Sequence, residues 1–286
     1  MISRRPQRAP RPDHGHEAVQ AVGTLPAPPT LMLRPTQAAE HEPHYVLLYT
    51  EESALVDAMG SWAEAGLNAG EGVILIVRAG IAQRVRGWLQ QADMDPASFE
   101  TVGRLRILDA DGTLRLFMMG GTPQANLFQN VIAPLLEDVR KASPAGTVRA
   151  WGEMVDLLWK RAQGPAAVKL EGLWNDLIGT HHFHLFCAYQ ADAFDTLQFP
   201  KVRAIAATHG VLLPAEDDAR FAAAVDQALT ETYGPEADAV RAFLAQGASP
   251  RVPIGFHRLL ALHDLAPDFA AIVAARAGLH YRARPA

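Results

Sequence analysis

Hydrophobic positions along the chain fall into short dense runs separated by stretches of helical period. His44 to Thr50 (HYVLLYT) is an apolar run rich in β-formers and predicts a buried strand. Ser53 then caps a predicted helix with Leu55, Val56, Met59 and Trp62 at helical spacing, ending near Gly66. Val73 to Val77 predicts a second strand, and Ile81 to Ala92 a helix with Val85, Trp88 and Leu89 inward. Leu105 to Leu108 is a third strand, closing with Asp109. A long helix over Gln124 to Lys141 follows, with Leu127, Phe128, Val131, Leu135 and Val139 on one face. Thr147 to Met154 (TVRAWGEM) reads as a fourth strand running into a helix through Leu157, Leu158 and Trp159. A helix over Ala166 to Ile178, a strand at His184 to Tyr189, a helix at Pro200 to Thr208 and an edge strand at Val211 to Leu213 complete the alternation. Alternation of this kind implies right-handed crossovers and an α/β fold with a doubly wound, mostly parallel sheet.

Outside this region the pattern changes twice. From residue 214 to 286 it is purely helical: Phe221, Val225 and Leu229 share one face, and Pro235 starts a helix carrying Val240, Phe243 and Leu244. Gly255 to His263 and Pro267 to Ala277 follow as short helices, expected to pack on the main domain or on a partner chain. Residues 1–42 are rich in proline and arginine and have no apolar period, which predicts a disordered leader. The expected organisation is therefore leader (1–42), α/β domain (43–213) and helical C-terminal extension (214–286).

Composition narrows the function classes. Hydrophobic residues make up 49% of the 286, ample for a packed core. A net charge of -5 offers no global basic field for nucleic acid or an anionic membrane. The longest apolar stretch, Gly72 to Val77, is far below the roughly 20 residues of a spanning helix. The single cysteine, Cys187, excludes an intramolecular disulfide and a four-cysteine zinc site, and fits a reducing cytoplasm.

In a doubly wound sheet, ligands bind outside the carboxyl ends of the strands. Those ends offer Thr50, Glu51, Glu52 and Ser53, then Arg78, then Asp109 and Asp111, then Glu153 and Asp156, then Tyr189 and Gln190, a polar and mostly acidic rim. Trp151, beside Gly152 and Glu153, is placed to wall a cavity there. His181, His182 and His184 with Cys187 suggest a metal, but alternation along a strand puts Cys187 with His181 and about 20 Å away. One strand therefore gathers no His/Cys site, although two histidines completed by a carboxylate from elsewhere stay open. Cys187 reads as a small buried hydrophobe, and no cofactor is implied.

The segment GLNAGEGVILIV (Gly66 to Val77) resembles circadian-clock ATPases of the RecA superfamily. The wider run resembles the MEDS domain, a methanogen/methylotroph sensory domain. It is carried by His44-Tyr45, Gly70-Glu71, Arg106-Ile107 with Asp109-Ala110, Phe117-Met118, RAWGEMVDLLW (Arg149 to Trp159), LEGLWNDL (Leu170 to Leu177), FCAY (Phe186 to Tyr189) and His209. The resemblance implies a RecA-like sensory domain that binds a small organic ligand and reports to a partner kinase or transcription regulator. By motif position it adds His44, Glu153 and Tyr189 to the candidate ligand-binding residues. A phosphate-binding loop is missing: the first strand is followed by TEESALVDAMG, with no lysine, and Glu51 and Glu52 would repel phosphate. A non-catalytic sensor, able to self-associate, is the reading this favours. The alternatives are a divergent enzyme using Glu153, Asp109 or His44, and a structural partner of an intact ATPase.

Overall fold

The computed structural model describes residues 43–214, 217–249 and 251–283, and the predicted leader lies outside them. The chain enters β1 (His44–Tyr49), α1 (Glu52–Asn68), β2 (Gly72–Val77), α2 (Ala79–Gln91), α3 (Pro96–Thr101) and β3 (Leu105–Asp109). It continues through α4 (Ala110–Arg115), a small hairpin of β4 (Met118–Met119) and β5 (Thr122–Pro123), and α5 (Ala125–Ala142). Next come β6 (Val148–Gly152), α6 (Met154–Lys160), α7 (Gly164–His181), β7 (His184–Gln190), α8 (Phe199–Ala206) and β8 (Val211–Pro214). The chain ends in α9 (Asp218–Tyr233), α10 (Ala237–Leu244), α11 (Ile254–Leu265) and α12 (Pro267–Arg282).

Six strands form one all-parallel sheet in the order β3-β2-β6-β7-β1-β8. β1 and β2 are buried on both faces, as their continuous apolar runs require, whereas the edge strand β3 is mostly only partly covered. Period-two alternation divides the core. Tyr45, Leu47, Tyr49, Val73, Leu75, Val77 and Trp151 pack with α1 and α2. Val46, Leu48, Ile74, Ile76, Ala150, Leu185, Cys187 and Tyr189 pack with α4 to α8. Crossovers leading from β1 to β3 thus cover one face, and those leading back to β8 cover the other. α1 and α2 approach closely because Gly60 has no side chain: a Cβ there would lie 2.2 Å from the Trp88 ring.

The helical tail joins the second face. Phe199 of α8 meets the Phe256 and His263 rings of α11, and Phe221, Val225 and Leu229 of α9 are buried in the same cluster as the sheet residues. Among the described residues, no helix is long and apolar enough to cross a membrane.

Several local expectations change. The N-cap of α1 is Glu51, not Ser53, because the helix begins one residue before the serine. In α5 the fully buried face is Phe128, Ile132, Leu136 and Val139. Leu127, Val131 and Leu135 are only partly covered, since the four-residue ridge points at the sheet. Neither α3, α4 nor the β4–β5 hairpin is predicted from the pattern; each is too short to show a period.

Candidate functional site

Neighbouring strands send their connections to opposite faces at β2 beside β6 and at β1 beside β7, among other pairs. Crevices open at such switch points outside the carboxyl ends. At the first, Arg78 follows β2 and Glu153 follows β6. The Arg78 backbone N–H donates to Glu153 Oε2 at 3.0 Å and its Nε donates to Oε1 at 3.0 Å. Arg78 Nη1 also donates to Glu52 Oε1 at 2.7 Å. Glu153 is 0% exposed, and burial lifts its carboxyl above the ordinary range although Arg78 opposes the shift. Arg78 therefore engages both Glu153 oxygens and ties the ends of β2 and β6 together.

At the second switch point, Tyr49 ends β1, and its hydroxyl donates to Asp156 Oδ2 at 3.1 Å. Lys160, one turn further along α6, pairs with the same oxygen at 2.7 Å, and the Gln190 N–H at the end of β7 donates to Oδ1 at 3.1 Å. Burial, then the Asp156 and Glu153 charges, push the Tyr49 phenol upward, so it remains a proton donor. Arg78 Nη2 lies 3.5 Å from the Tyr49 oxygen, joining the two groups into one network.

Beside this network lies an open cleft of about 440 Å³. It is lined by Thr50, Glu51, Ser53 and Ala54 at the start of α1, by Asp192 and Phe194 after β7, and by Tyr281 and Arg282 of α12. Arg282 Nη2 donates to Asp192 Oδ2 at 3.2 Å across it. Phe194 stacks on Phe221 of α9 at 4.8 Å and contacts the Tyr281 ring at 5.6 Å, so the cleft and the tail share aromatic packing.

The predicted site residues thus separate. Thr50 and Glu51 line the cleft, while Arg78 and Glu153 form the adjoining network. Asp109 caps α4 at the sheet edge, accepting from the Gly112 N–H at 2.6 Å. Trp151 is 0% exposed, stacked on Phe186 at 4.6 Å on the α1 face. His44 stands at the opposite, amino end of β1, and Tyr189 points into the second face. Both meet around Glu171 of α7: the Tyr189 hydroxyl donates to Oε1 at 2.5 Å, and His44 Nε2 lies 3.4 Å from Oε2. Cys187 and His209 close the group. Burial pushes His209 down to about 4 and lifts Cys187 well above its ordinary value. Burial opposes ionisation of Glu171, but His209, His44 and Tyr189 outweigh it and bring the carboxyl down to about 2.

Sequence reasoning missed Glu171, Asp192 and Arg282. Glu171 carried a signal: it falls among Ala167, Leu170 and Trp174 on the apolar face of its helix, where an acid must have a partner. The other two lie in segments far apart in sequence and carried none.

Neither the curated proteins nor the solved structures include a match to this chain. A family model does match, over residues 43–210, which takes in the whole sheet except β8: the MEthanogen/methylotroph, DcmR Sensory domain. The match spans well over half of the sequence, and the chain belongs to the MEDS family.

Proposed function

We propose that this chain is the sensing component of a signalling system, binding a small organic molecule in the cleft beside the β1–β7 switch point and passing its state to a partner through α12. One observation carries the reading. The cleft is walled jointly by the start of α1, within the family-matched segment, and by the last turn of α12, outside it. A molecule held there touches both, so occupancy bears on how the tail is held. The volume of about 440 Å³ suits a small metabolite. The partner in this reading is a kinase or transcription regulator, reached in the cytoplasm.

A RecA-like scaffold that has given up nucleotide chemistry accords with the local geometry. The β1–α1 connection is only Thr50 and Glu51, too short for a phosphate cradle, and its carboxylates repel phosphate. Glu153, one of the three residues a divergent enzyme could use, is engaged by Arg78 at both oxygens.

The test is thermal denaturation of the full chain against a panel of small alcohols, amines, carboxylates and halogenated hydrocarbons, with ATP–magnesium alongside. Ser53 is exposed at the cleft mouth, and Ser53→Trp fills the opening without entering the core. At least one organic compound should raise the melting temperature of the wild type and lose that effect in Ser53→Trp. A stabilising compound that acts equally on both proteins, or stabilisation by ATP–magnesium alone, overturns the assignment.

A further inference from the structure

Beneath the second face of the sheet, four side chains from four elements converge: His44 of β1, Glu171 of α7, Cys187 of β7 and His209 from the α8–β8 loop. Their nearest ligand-type atoms all lie within 4.8 Å of one another. We propose that this cluster is a tetrahedral binding site for a single divalent transition ion of the zinc class, held by two imidazole nitrogens, one carboxylate and one thiolate.

Geometry is the first support. His44 Nε2 lies 3.5 Å from Cys187 Sγ and 3.4 Å from Glu171 Oε2. Cys187 Sγ lies 3.3 Å from Glu171 Oε2, and His209 Nε2 lies 3.4 Å from Oε1. The nitrogen–oxygen separations are long for hydrogen bonds, whose usual distance is about 2.9 Å. An ion with bonds of about 2.0–2.3 Å places tetrahedral ligands roughly 3.3–3.8 Å apart. The separations among His44, Cys187 and Glu171 Oε2 fall in that range, and all four ligand atoms lie within 4.8 Å.

Proton placement is the second. His44 Nδ1 is 2.8 Å from Asn175 Oδ1, whose amide nitrogen in turn donates to the Thr208 carbonyl at 2.9 Å, fixing the oxygen toward the ring. His209 Nδ1 is 2.7 Å from the Ile205 carbonyl. Each ring therefore carries its proton on the outward nitrogen and turns a bare Nε2 lone pair inward. Among the described residues His209 Nε2 is buried with no hydrogen-bond partner, on a side chain that is 0% exposed. Two lone pairs and a carboxylate face one another, with the weak Cys187 S–H as the only donor among the four ligand groups. Metal-bound histidines show this arrangement, with the outer N–H given to a carbonyl and the inner nitrogen left free for the ion.

Charge is the third. When the ion binds, Cys187 releases its proton to solvent and a thiolate–metal bond forms. The dication then balances one thiolate and one carboxylate, giving a neutral buried centre. Without it, Glu171 is a carboxylate 1% exposed, with the Tyr189 hydroxyl and the thiol as its donors. Asn175, which holds His44 from outside the cluster, is itself exposed.

The single cysteine makes the test unambiguous. The full chain, stripped with chelator, is titrated with cobalt(II) and then zinc(II), with metal content measured alongside. One equivalent of cobalt should bind and give a near-ultraviolet sulfur-to-metal charge-transfer band that zinc abolishes. Cys187→Ser should remove the band. Asn175→Ala, a surface change acting through His44, should weaken binding by roughly 10–100-fold while keeping the band. Uptake of cobalt with no charge-transfer band, from histidines elsewhere, overturns the proposal. So does the absence of stoichiometric uptake by the wild type, which leaves a hydrogen-bonded core cluster only.

Discussion

The Arg78–Glu153 pair shows what a single residue contributes at the carboxyl edge. Glu153 has no exposure and its charge is tolerated only because one arginine supplies both a backbone and a side-chain donor. Arg78→Met should therefore cost about 3 kcal/mol or more, since it strands a buried carboxylate. Adding Glu153→Gln should return much of that loss, because a neutral amide no longer needs the guanidinium. Urea unfolding of the single and double variants measures both; a double variant no more stable than Arg78→Met would show that the pair is not the cause. The residues were legible as strand-end groups, but their pairing was not: it depends on β2 lying beside β6, and nothing at residues 78 or 153 states that adjacency. Trp151 is a sharper case. Its place in the chain suggested a cavity wall, yet the pleat turns it toward α1, and its stacking on Phe186 makes it core.

Among the elements, α12 is tied to the sheet domain by contacts of unequal strength. Phe221 of α9 is 0% exposed and packs against Phe194, Phe256 and Tyr281, whereas the Arg282–Asp192 pair is largely solvated. Phe221→Ala should lower stability by about 3–5 kcal/mol. Arg282→Ala should change it by less than about 1 kcal/mol. Equal effects in chemical denaturation would mean that the ion pair holds the tail as firmly as the aromatic packing does. The long strands and helices were readable because each carries several turns or pleats of its own period. The face of α5 was misjudged by one position because apolar residues extend round the helix, and only the direction of the sheet selects among them. That the tail lines the cleft was hidden for another reason: Arg282 and Thr50 come to one cleft only once the whole chain is wound.

At the level of the molecule, the alternation of strands and helices was enough to predict a parallel sheet with helices on both faces. The order β3-β2-β6-β7-β1-β8 was not, because helix-connected strands are free to leave gaps that later strands fill. That order has a consequence for how the protein is made. Val73 to Val77 pairs with Leu105 to Asp109 soon after both leave the ribosome, but Tyr45 must wait for Phe186 on one side and Val211 on the other. Closing so long a loop is slow, and the first strand stays an open edge meanwhile. Pulse-labelled hydrogen exchange during refolding should find the β2 and β3 amides protected before those of β1; the reverse order would refute this. A nascent chain halted before His184 has no strand to lay beside β1, which makes it a client for chaperones rather than a smaller working domain.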